Sequence, residues 1–183
     1  MTMLIQRVNI LCSTVLHISI DRLNYIIANI EKFYIEYQKP KRDKNGAKRL
    51  NKPQYQERYG KYWSRTINPP HEELKNIQKC INGYLVNHIP MPDFAYGGVE
   101  KKDNILNAKQ HKGRKYVFQT DLTDFYPFIS CKRVYEMFVR VGFSADVASK
   151  LTKLTTFKGH LPQGAPTSTT IANLVFEPTG RKL

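Results

Sequence analysis

Apolar residues recur at helical spacing in five stretches of the chain, and this periodicity limits the possible folds more than any other feature. The stretches are Leu23 to Tyr34, Leu74 to Ile89, Val134 to Val141, Val147 to Leu154 and Ile171 to Phe176. Ser19, Ser130 and Ser144 precede three of these stretches and predict N-caps. Pro69-Pro70 starts a fourth helix, and we expect Pro178 to disturb the last one.

Strand signals are fewer. Tyr116 to Asp121 alternates, with Val117 and Gln119 on one face and Tyr116 and Phe118 on the other. Asn45-Gly46 predicts a hairpin turn. The mixture predicts an α+β fold in which helices pack on a small antiparallel sheet.

The charge of the chain is strongly positive. Its 183 residues carry 29 Lys and Arg against 15 Asp and Glu, which gives a formal net charge of +14. Such an excess indicates a polyanionic partner, most commonly nucleic acid, although a basic protein can also simply be soluble. The three cysteines lie too far apart for a zinc site, and their odd number argues against a disulfide framework.

The amino-terminal stretch from Met3 to Ile20 is apolar but is interrupted by seven polar residues, which makes it a poor transmembrane span. No small-residue cleavage site follows a clean apolar run, so no signal peptide is predicted. We expect a soluble cytoplasmic protein without a membrane partner.

Two basic clusters follow one another. Residues 39–65 hold ten Lys and Arg, two acidic residues and the aromatic residues Tyr55, Tyr59, Tyr62 and Trp63. Rings can stack on bases while cations meet phosphates, but a charge run is also typical of a merely solvated face. The second cluster comprises Lys101, Lys102, Lys109, Lys112, Arg114 and Lys115.

Two motifs carry candidate chemistry. The first runs from Thr120 to Ile129 and places Asp121 at the end of the predicted strand, where an oxygen ligand can hold Mg²⁺. Asp-x-x-Asp also fits a turn in which Asp121 or Asp124 merely caps backbone groups. The second, Leu161 to Ser168, is either a simple turn or a loop that brings Gln163 close to a nucleotide, since Gly164 has no side chain to block the approach.

Together, in this order and at this spacing, the two motifs resemble reverse transcriptases, specifically the bacterial retron type. The family's first palm motif has a strand, an Asp and then Phe-Phe-Pro-x-Ile, and this chain has Phe125-Tyr126-Pro127-Phe128-Ile129 after Asp121. The family's later loop, Leu-Pro-Gln-Gly-Ala-Pro-Thr-Ser, stands complete at Leu161 to Ser168. The resemblance implies part of a right-hand polymerase without its thumb: an N-terminal helical segment (1–38), fingers (39–115) and a partial palm (116–183).

The resemblance also implies roles for single residues. Asp121 would be a catalytic ligand of Mg²⁺, with the backbone carbonyl of Leu122 as a second contact. Tyr126 would lie under the sugar and exclude a 2′-hydroxyl. The residues implied to contact the incoming dNTP are Lys41, Arg65, Asp124, Tyr126 and Gln163, with Arg49 as an alternative to Lys41. Lys101, Lys102, Lys112, Arg114 and Lys115 would bind the RNA template and the nascent DNA.

The chain departs from the family pattern in two places. Thr169 stands where the family usually has Pro, and the Tyr-x-Asp-Asp box expected after this point is absent. Because one certain carboxylate leaves a two-metal site incomplete, we expect the chain alone not to polymerise DNA and to need a polypeptide that supplies the rest of the palm and the thumb.

Three functions stay open. The chain is a truncated RNA-directed DNA polymerase of the retron or phage-defence type, a non-catalytic RNA-binding module derived from one, or a generic basic RNA-binding protein with accidental motif matches. The last of these predicts that Asp121 and Gln163 lie far apart.

Overall fold

The structure, a computed structural model, describes residues 4–182 of the chain, apart from the side chains of residues 58 and 59. The predicted bounds Met3 and Leu183 and the side chains of Arg58 and Tyr59 in the first basic cluster therefore lie outside the described residues. The elements are α1 (Val8–Leu11), a π-helical turn (Cys12–Leu16), α2 (Ile20–Ala28), a 3₁₀ turn (Ile30–Phe33), β1 (Tyr37–Pro40), α3 (Pro53–Tyr59), β2 (Ser64–Ile67), α4 (Glu72–His88), α5 (Asn104–Gln110), α6 (Cys131–Val141), α7 (Ala145–Thr155) and α8 (Ser168–Gly180).

The core is built by helices. α7 contacts α1, α2, α4 and α6, and α8 contacts α4 and α6. Fully buried side chains from these helices include Leu23, Leu74, Leu85, Phe138 and Leu151. Burying an apolar side chain of this size contributes about 1.5–3 kcal/mol, so the stability of the fold resides mainly in this helical cluster.

The predicted caps are confirmed. The side chains of Ser19, Ser130 and Ser144 each accept a hydrogen bond from the backbone N–H three residues further on, at the starts of α2, α6 and α7. Gly142 ends α6 in a left-handed conformation, as a C-terminal glycine does. These helix starts are determined locally by polar side chains that satisfy otherwise unpaired N–H groups.

The last helix differs from the prediction. α8 begins at Ser168, before the predicted Ile171, and it continues past Pro178 to Gly180. Proline lacks the N–H that would donate to the carbonyl oxygen of Leu174 four residues earlier. The guanidinium of Arg140 in α6 donates to that oxygen instead, so the helix passes the proline without an unpaired carbonyl at this position.

The sheet is confirmed as small and antiparallel, but the helices pack on one another and not on it. β1 and β2 pair with Tyr37 opposite Ile67 and Lys39 opposite Arg65, and every residue of both strands is at least partly exposed. The Asn45-Gly46 turn is present, with Arg42 bridged to Lys48 across it.

The predicted strand from Tyr116 to Asp121 is wrong. These residues have no regular structure, and Tyr116 and Phe118 are 83% and 90% exposed. A strand needs a neighbour to pair with its backbone. Among the backbone hydrogen bonds between described residues, none joins residues 116–121 to another segment.

Within residues 4–182, no single helix has the length and apolar character to cross a membrane. Val8–Leu16 and Ile20–Ala28 would meet the length and composition requirement together, but they are bent by 92° relative to each other. Their side chains Leu11, Leu16 and Leu23 are buried in the core of the protein.

Candidate nucleotide site

The two motifs found in the sequence adjoin in the structure. The backbone N–H of Leu161 donates to the carbonyl of Ile129 over 2.9 Å, and the N–H of Cys131 donates to the carbonyl of Gly159 over 2.9 Å. The end of the first motif is thereby joined to the start of the loop that carries Gln163. These bonds join Ile129 and Cys131 to the loop, whereas the separation of Asp121 and Gln163, on which the accidental-match hypothesis rests, stays a prediction.

A cleft of about 1000 Å³ opens beside this junction. One wall comes from the β1–β2 hairpin, and the other comes from Tyr126, the loop after Leu161 and the start of α8. Four of the five predicted nucleotide-binding residues line it: Lys41, Arg65, Tyr126 and Gln163. Asp124 is not among the residues that line this cleft.

The charge of the cleft is entirely positive. Its described lining includes five cationic residues and no Asp or Glu, and the cations are Lys39, Lys41, Arg42, Arg65 and Lys75. Lys39 and Arg65 are direct partners across the two strands. Directly opposite like charges destabilise an antiparallel pair, so this arrangement favours an anion between them.

The amino-terminal end of α8 lies on the same cleft through Ser168 and Thr169. Unpaired N–H groups and the helix dipole make such an end favourable for anions. The cations and the helix end therefore act in the same direction, and the cleft suits a ligand with several negative charges.

Gln163 is held by its backbone. The N–H of Asn68 donates to the Gln163 carbonyl over 2.8 Å. The neighbouring Gly164 has a φ of +106°, and a Cβ there would lie 2.9 Å from Cγ2 of Ile67. The sequence interpretation assigned this glycine to the approach of a nucleotide, which stays a prediction, and the structure shows that it also lets the loop approach the end of β2.

Tyr126 is fixed from two sides. Its ring lies 5.8 Å from that of Phe125, which in turn meets the ring of Phe176 edge-on. Its hydroxyl is 3.2 Å from the hydroxyl of Thr169, at the start of α8. The phenol therefore stands half-buried on the cleft wall with both its ring and its oxygen in contact with other side chains.

Trp63 is a residue whose role the sequence did not reveal. The ammonium of Lys41 lies 3.8 Å from the centre of the Trp63 ring, and the guanidinium carbon of Arg49 lies 5.1 Å from it. Backbone bonds also join Trp63 to both residues. In the sequence, the alternation of aromatic and basic residues pointed to this segment. We took it to indicate rings that stack on bases, whereas the Trp63 ring contacts the cation of Lys41 at the cleft.

Glu36 lies close to the segment that holds Gln163. Its carboxylate accepts hydrogen bonds from the ammonium of Lys158 at 3.0 Å and from the side chain of Asn68 at 3.1 Å. These donors, the lysine first, lower the pKa of Glu36 below its usual value. The group links Lys158, after α7, to the residues that flank the hairpin, Glu36 before β1 and Asn68 after β2.

This chain is similar to several curated retron reverse transcriptases. The Retron Se72 reverse transcriptase of Salmonella heidelberg is 34% identical over 165 residues, which cover 90% of this chain and 39% of that protein. The Retron Ec86 reverse transcriptase of Escherichia coli is 37% identical over 112 residues, or 61% of this chain and 35% of that protein. The Retron Mx162 reverse transcriptase of Myxococcus xanthus is 32% identical over 127 residues, or 60% of this chain and 26% of that protein.

By sequence, this chain is similar to retron reverse transcriptases. It spans about two fifths or less of the length of these curated relatives. No protein-family model matches it.

The residues predicted to hold a divalent metal, Asp121 and Leu122, lie outside the cleft, as does the predicted nucleotide contact Asp124. Asp121 and Leu122 are exposed in the irregular segment, and Asp124 is exposed with a φ of +49°. In the part of the chain that the structure describes, no three His, Cys, Asp or Glu side chains are grouped as metal ligands. Mg²⁺ takes about six oxygen ligands, so the described residues do not by themselves fit that ion.

The predicted nucleic-acid contacts lie before and after α5. Lys101, Lys112, Arg114 and Lys115 are exposed, while Lys102 is half-buried and donates to the carbonyl of Asp93. α5 itself buries no residue. The five cations are accessible to a polyanion, and the structure does not test whether they bind one.

Proposed function

We propose that the chain forms the nucleotide- and template-binding part of an RNA-directed DNA polymerase. The observation that carries this proposal is the cleft that Lys41, Arg65, Tyr126 and Gln163 line together, in which every charged residue of the described lining is cationic. A triphosphate is the ligand class that such a set suits, because Lys supplies a point charge and the planar fork of Arg binds phosphate oxygens bidentately.

In this proposal each side of the cleft has its own task. Lys41 and Arg65 on the fingers side bind the triphosphate of the incoming dNTP. Tyr126 lies under the sugar, and Gln163 lines the pocket for the base pair. Asp124 contacts the triphosphate through its backbone, which requires its turn to move from the position described here.

The metal and the template belong to the same proposal. Asp121 and the Leu122 carbonyl would contribute part of the ligand set of a Mg²⁺ ion, which would activate the attacking hydroxyl. Since Asp121 is one ligand of the several that Mg²⁺ requires, we expect DNA synthesis to depend on further carboxylates. Lys101, Lys102, Lys112, Arg114 and Lys115 track the backbone of the RNA template and the nascent DNA, with binding that weakens as salt rises.

Several finer expectations belong to the proposal as well. They are the division into residues 1–38, 39–115 and 116–183, the cytoplasmic location, and the role in antiviral defence that the phage-defence type implies. A non-catalytic RNA-binding module derived from a reverse transcriptase is the second candidate. The exposed basic residues around α5 favour it equally, since they predict RNA binding in both cases.

Template-directed selection of a nucleotide distinguishes the two. The chain is bound to an RNA template with a DNA primer that ends in a dideoxynucleotide, so that no extension occurs. The affinity for each of the four dNTPs is then measured with Mg²⁺ present. The polymerase proposal predicts tighter binding of the dNTP complementary to the next template base. Binding of the template with equal or no affinity for the four dNTPs would favour the RNA-binding module.

A further inference from the structure

We propose that Thr169 is a positioning residue for Tyr126 and that its hydroxyl sets how strongly the cleft discriminates deoxyribonucleotides from ribonucleotides. This inference rests on the proposed function, in which Tyr126 lies under the sugar. Its structural basis is the 3.2 Å contact between the two hydroxyl oxygens on the wall of the cleft.

Thr169 is itself held in one orientation. A Cβ on Gly98, whose φ is +68°, would lie only 2.4 Å from the Thr169 methyl carbon, so this loop approaches the threonine as closely as glycine permits. One turn further along α8, the Asn173 side chain donates to the carbonyl of Gly97 over 2.9 Å. The loop is thus attached to the helix beside Thr169.

Because the Thr169 side chain is branched, its packing against the Gly98 loop also fixes the direction of its hydroxyl group. Threonine has few allowed rotamers, because two heavy atoms on Cβ restrict χ1. With its methyl group against Gly98, its hydroxyl is directed at Tyr126. The phenol of Tyr126 is therefore anchored by a side chain that has little freedom to move.

The position of Tyr126 matters because its ring can exclude a 2′-hydroxyl only if the ring does not move aside. The ring of Tyr126 is also packed against Phe125, but a ring contact alone lets the phenol pivot about it. A hydrogen bond at the far end of the ring prevents that movement. A 2′-hydroxyl would meet a fixed obstacle in the wild-type chain and a displaceable one when the bond is lost.

The test compares the affinities of the full chain for matched dNTP and rNTP pairs carrying a fluorescent label. Thr169→Val removes the hydroxyl and keeps the shape, and Tyr126→Phe removes the other partner. Thr169→Ser keeps the hydroxyl. A net hydrogen bond of ordinary strength corresponds to about 2- to 12-fold in a binding ratio. We expect Thr169→Val and Tyr126→Phe each to lower the dNTP preference by that factor, and the double variant to lower it no further.

Each other outcome contradicts the inference. If Thr169→Val keeps the dNTP preference of the wild-type chain, the inference is wrong and the proposed function stands. The same holds if the double variant shows the product of the two single effects. If Thr169→Val does not fold, an unchanged preference in Tyr126→Phe overturns it in the same way. A wild-type chain that binds triphosphates without a dNTP preference overturns the inference alone, whereas one that binds no triphosphate overturns the proposed function as well.

Discussion

The backbone N–H of Asn68 donates to the carbonyl oxygen of Gln163 over 2.8 Å, which joins the segment after β2 to the loop that precedes α8. Asn68 directly follows the strand that forms one wall of the cleft, and Gln163 lies on the other wall. The bond requires the loop to approach β2 closely, and Gly164 permits this because it has no side chain. A Cβ at position 164 would therefore press this loop away from Ile67 at the end of β2.

Gly164→Ala should destabilise the protein more than Gly159→Ala. Both glycines have positive φ values, +106° and +81°, so alanine at either costs about 1–2 kcal/mol in backbone strain. Only at position 164 does the added Cβ also meet a side chain, that of Ile67 at 2.9 Å, while nothing lies within 4 Å at position 159. Urea unfolding of both variants checks the order, and equal losses would show that the close approach at Gly164 is unimportant.

Arg140 and Pro178 should be energetically coupled. Arg140→Met removes the donor to the Leu174 carbonyl, and we expect it to lower the free energy of unfolding by about 1 kcal/mol. Pro178→Ala restores an N–H that can donate to the same oxygen, so it should stabilise α8 and reduce the cost of Arg140→Met. A double-mutant cycle by thermal unfolding measures this, and strict additivity would contradict it.

Trp63→Leu should weaken triphosphate binding more than Tyr62→Leu. Trp63 holds the ammonium of Lys41, which lines the cleft, whereas Tyr62 contacts Lys48 and Lys61, which do not. A cation–π contact at an exposed site contributes about 0.5–1 kcal/mol, which corresponds to about 2- to 5-fold in affinity. Fluorescence titration with a labelled dNTP gives both values. If Tyr62→Leu loses as much dNTP affinity as Trp63→Leu, the loss results from a general disturbance of the hairpin and not from the contact with Lys41.

Glu36→Gln should lower the thermal midpoint at neutral pH, and the difference from wild type should shrink in acid. The pKa of Glu36 is lowered in the folded chain by Lys158 and Asn68, so its contribution is present above the usual carboxyl value of 4.5 and is lost as the pH falls through the lower folded value. Glu31→Gln, which neutralises another exposed carboxylate, is the control. A difference that stays constant from neutral pH to below 4 would contradict the assignment.

The sequence predicted the helices better than the sheet, and the reason is physical. Ser19, Ser130 and Ser144 act on N–H groups three residues away, so their effect can be seen in a short window. The stretch after Tyr116 alternates as a strand does, but alternation cannot supply a neighbouring strand, and the segment is exposed and irregular. The continuation of α8 past Pro178 depends on Arg140, which is distant in sequence.

In the candidate site, too, some residues could be predicted from the sequence and others depend on contacts between distant segments. Lys41, Arg65, Tyr126 and Gln163 were predicted from the family resemblance, and the structure brings them to one cleft. Their roles stay predictions. Trp63 and Thr169 could not be recognised beforehand, because the contact with Lys41 depends on a hairpin register and the contact with Tyr126 on the packing of a loop against a helix. Asp121 was predicted as a metal ligand, and nothing in the structure tests that role.

The most direct test of the nucleotide cleft is calorimetric titration of the wild-type chain, Arg65→Gln and Arg133→Gln with a dNTP. Arg65 lines the cleft and Arg133 is an exposed residue of α6 outside its described lining, so the two variants lose the same charge in different places. Hydrogen bonds to charged groups contribute about 1.5–3 kcal/mol, which predicts a loss of roughly 10- to 150-fold for Arg65→Gln. Arg133→Gln should bind as the wild type does. Equal affinities of the two variants, or no binding by the wild-type chain, would contradict the account.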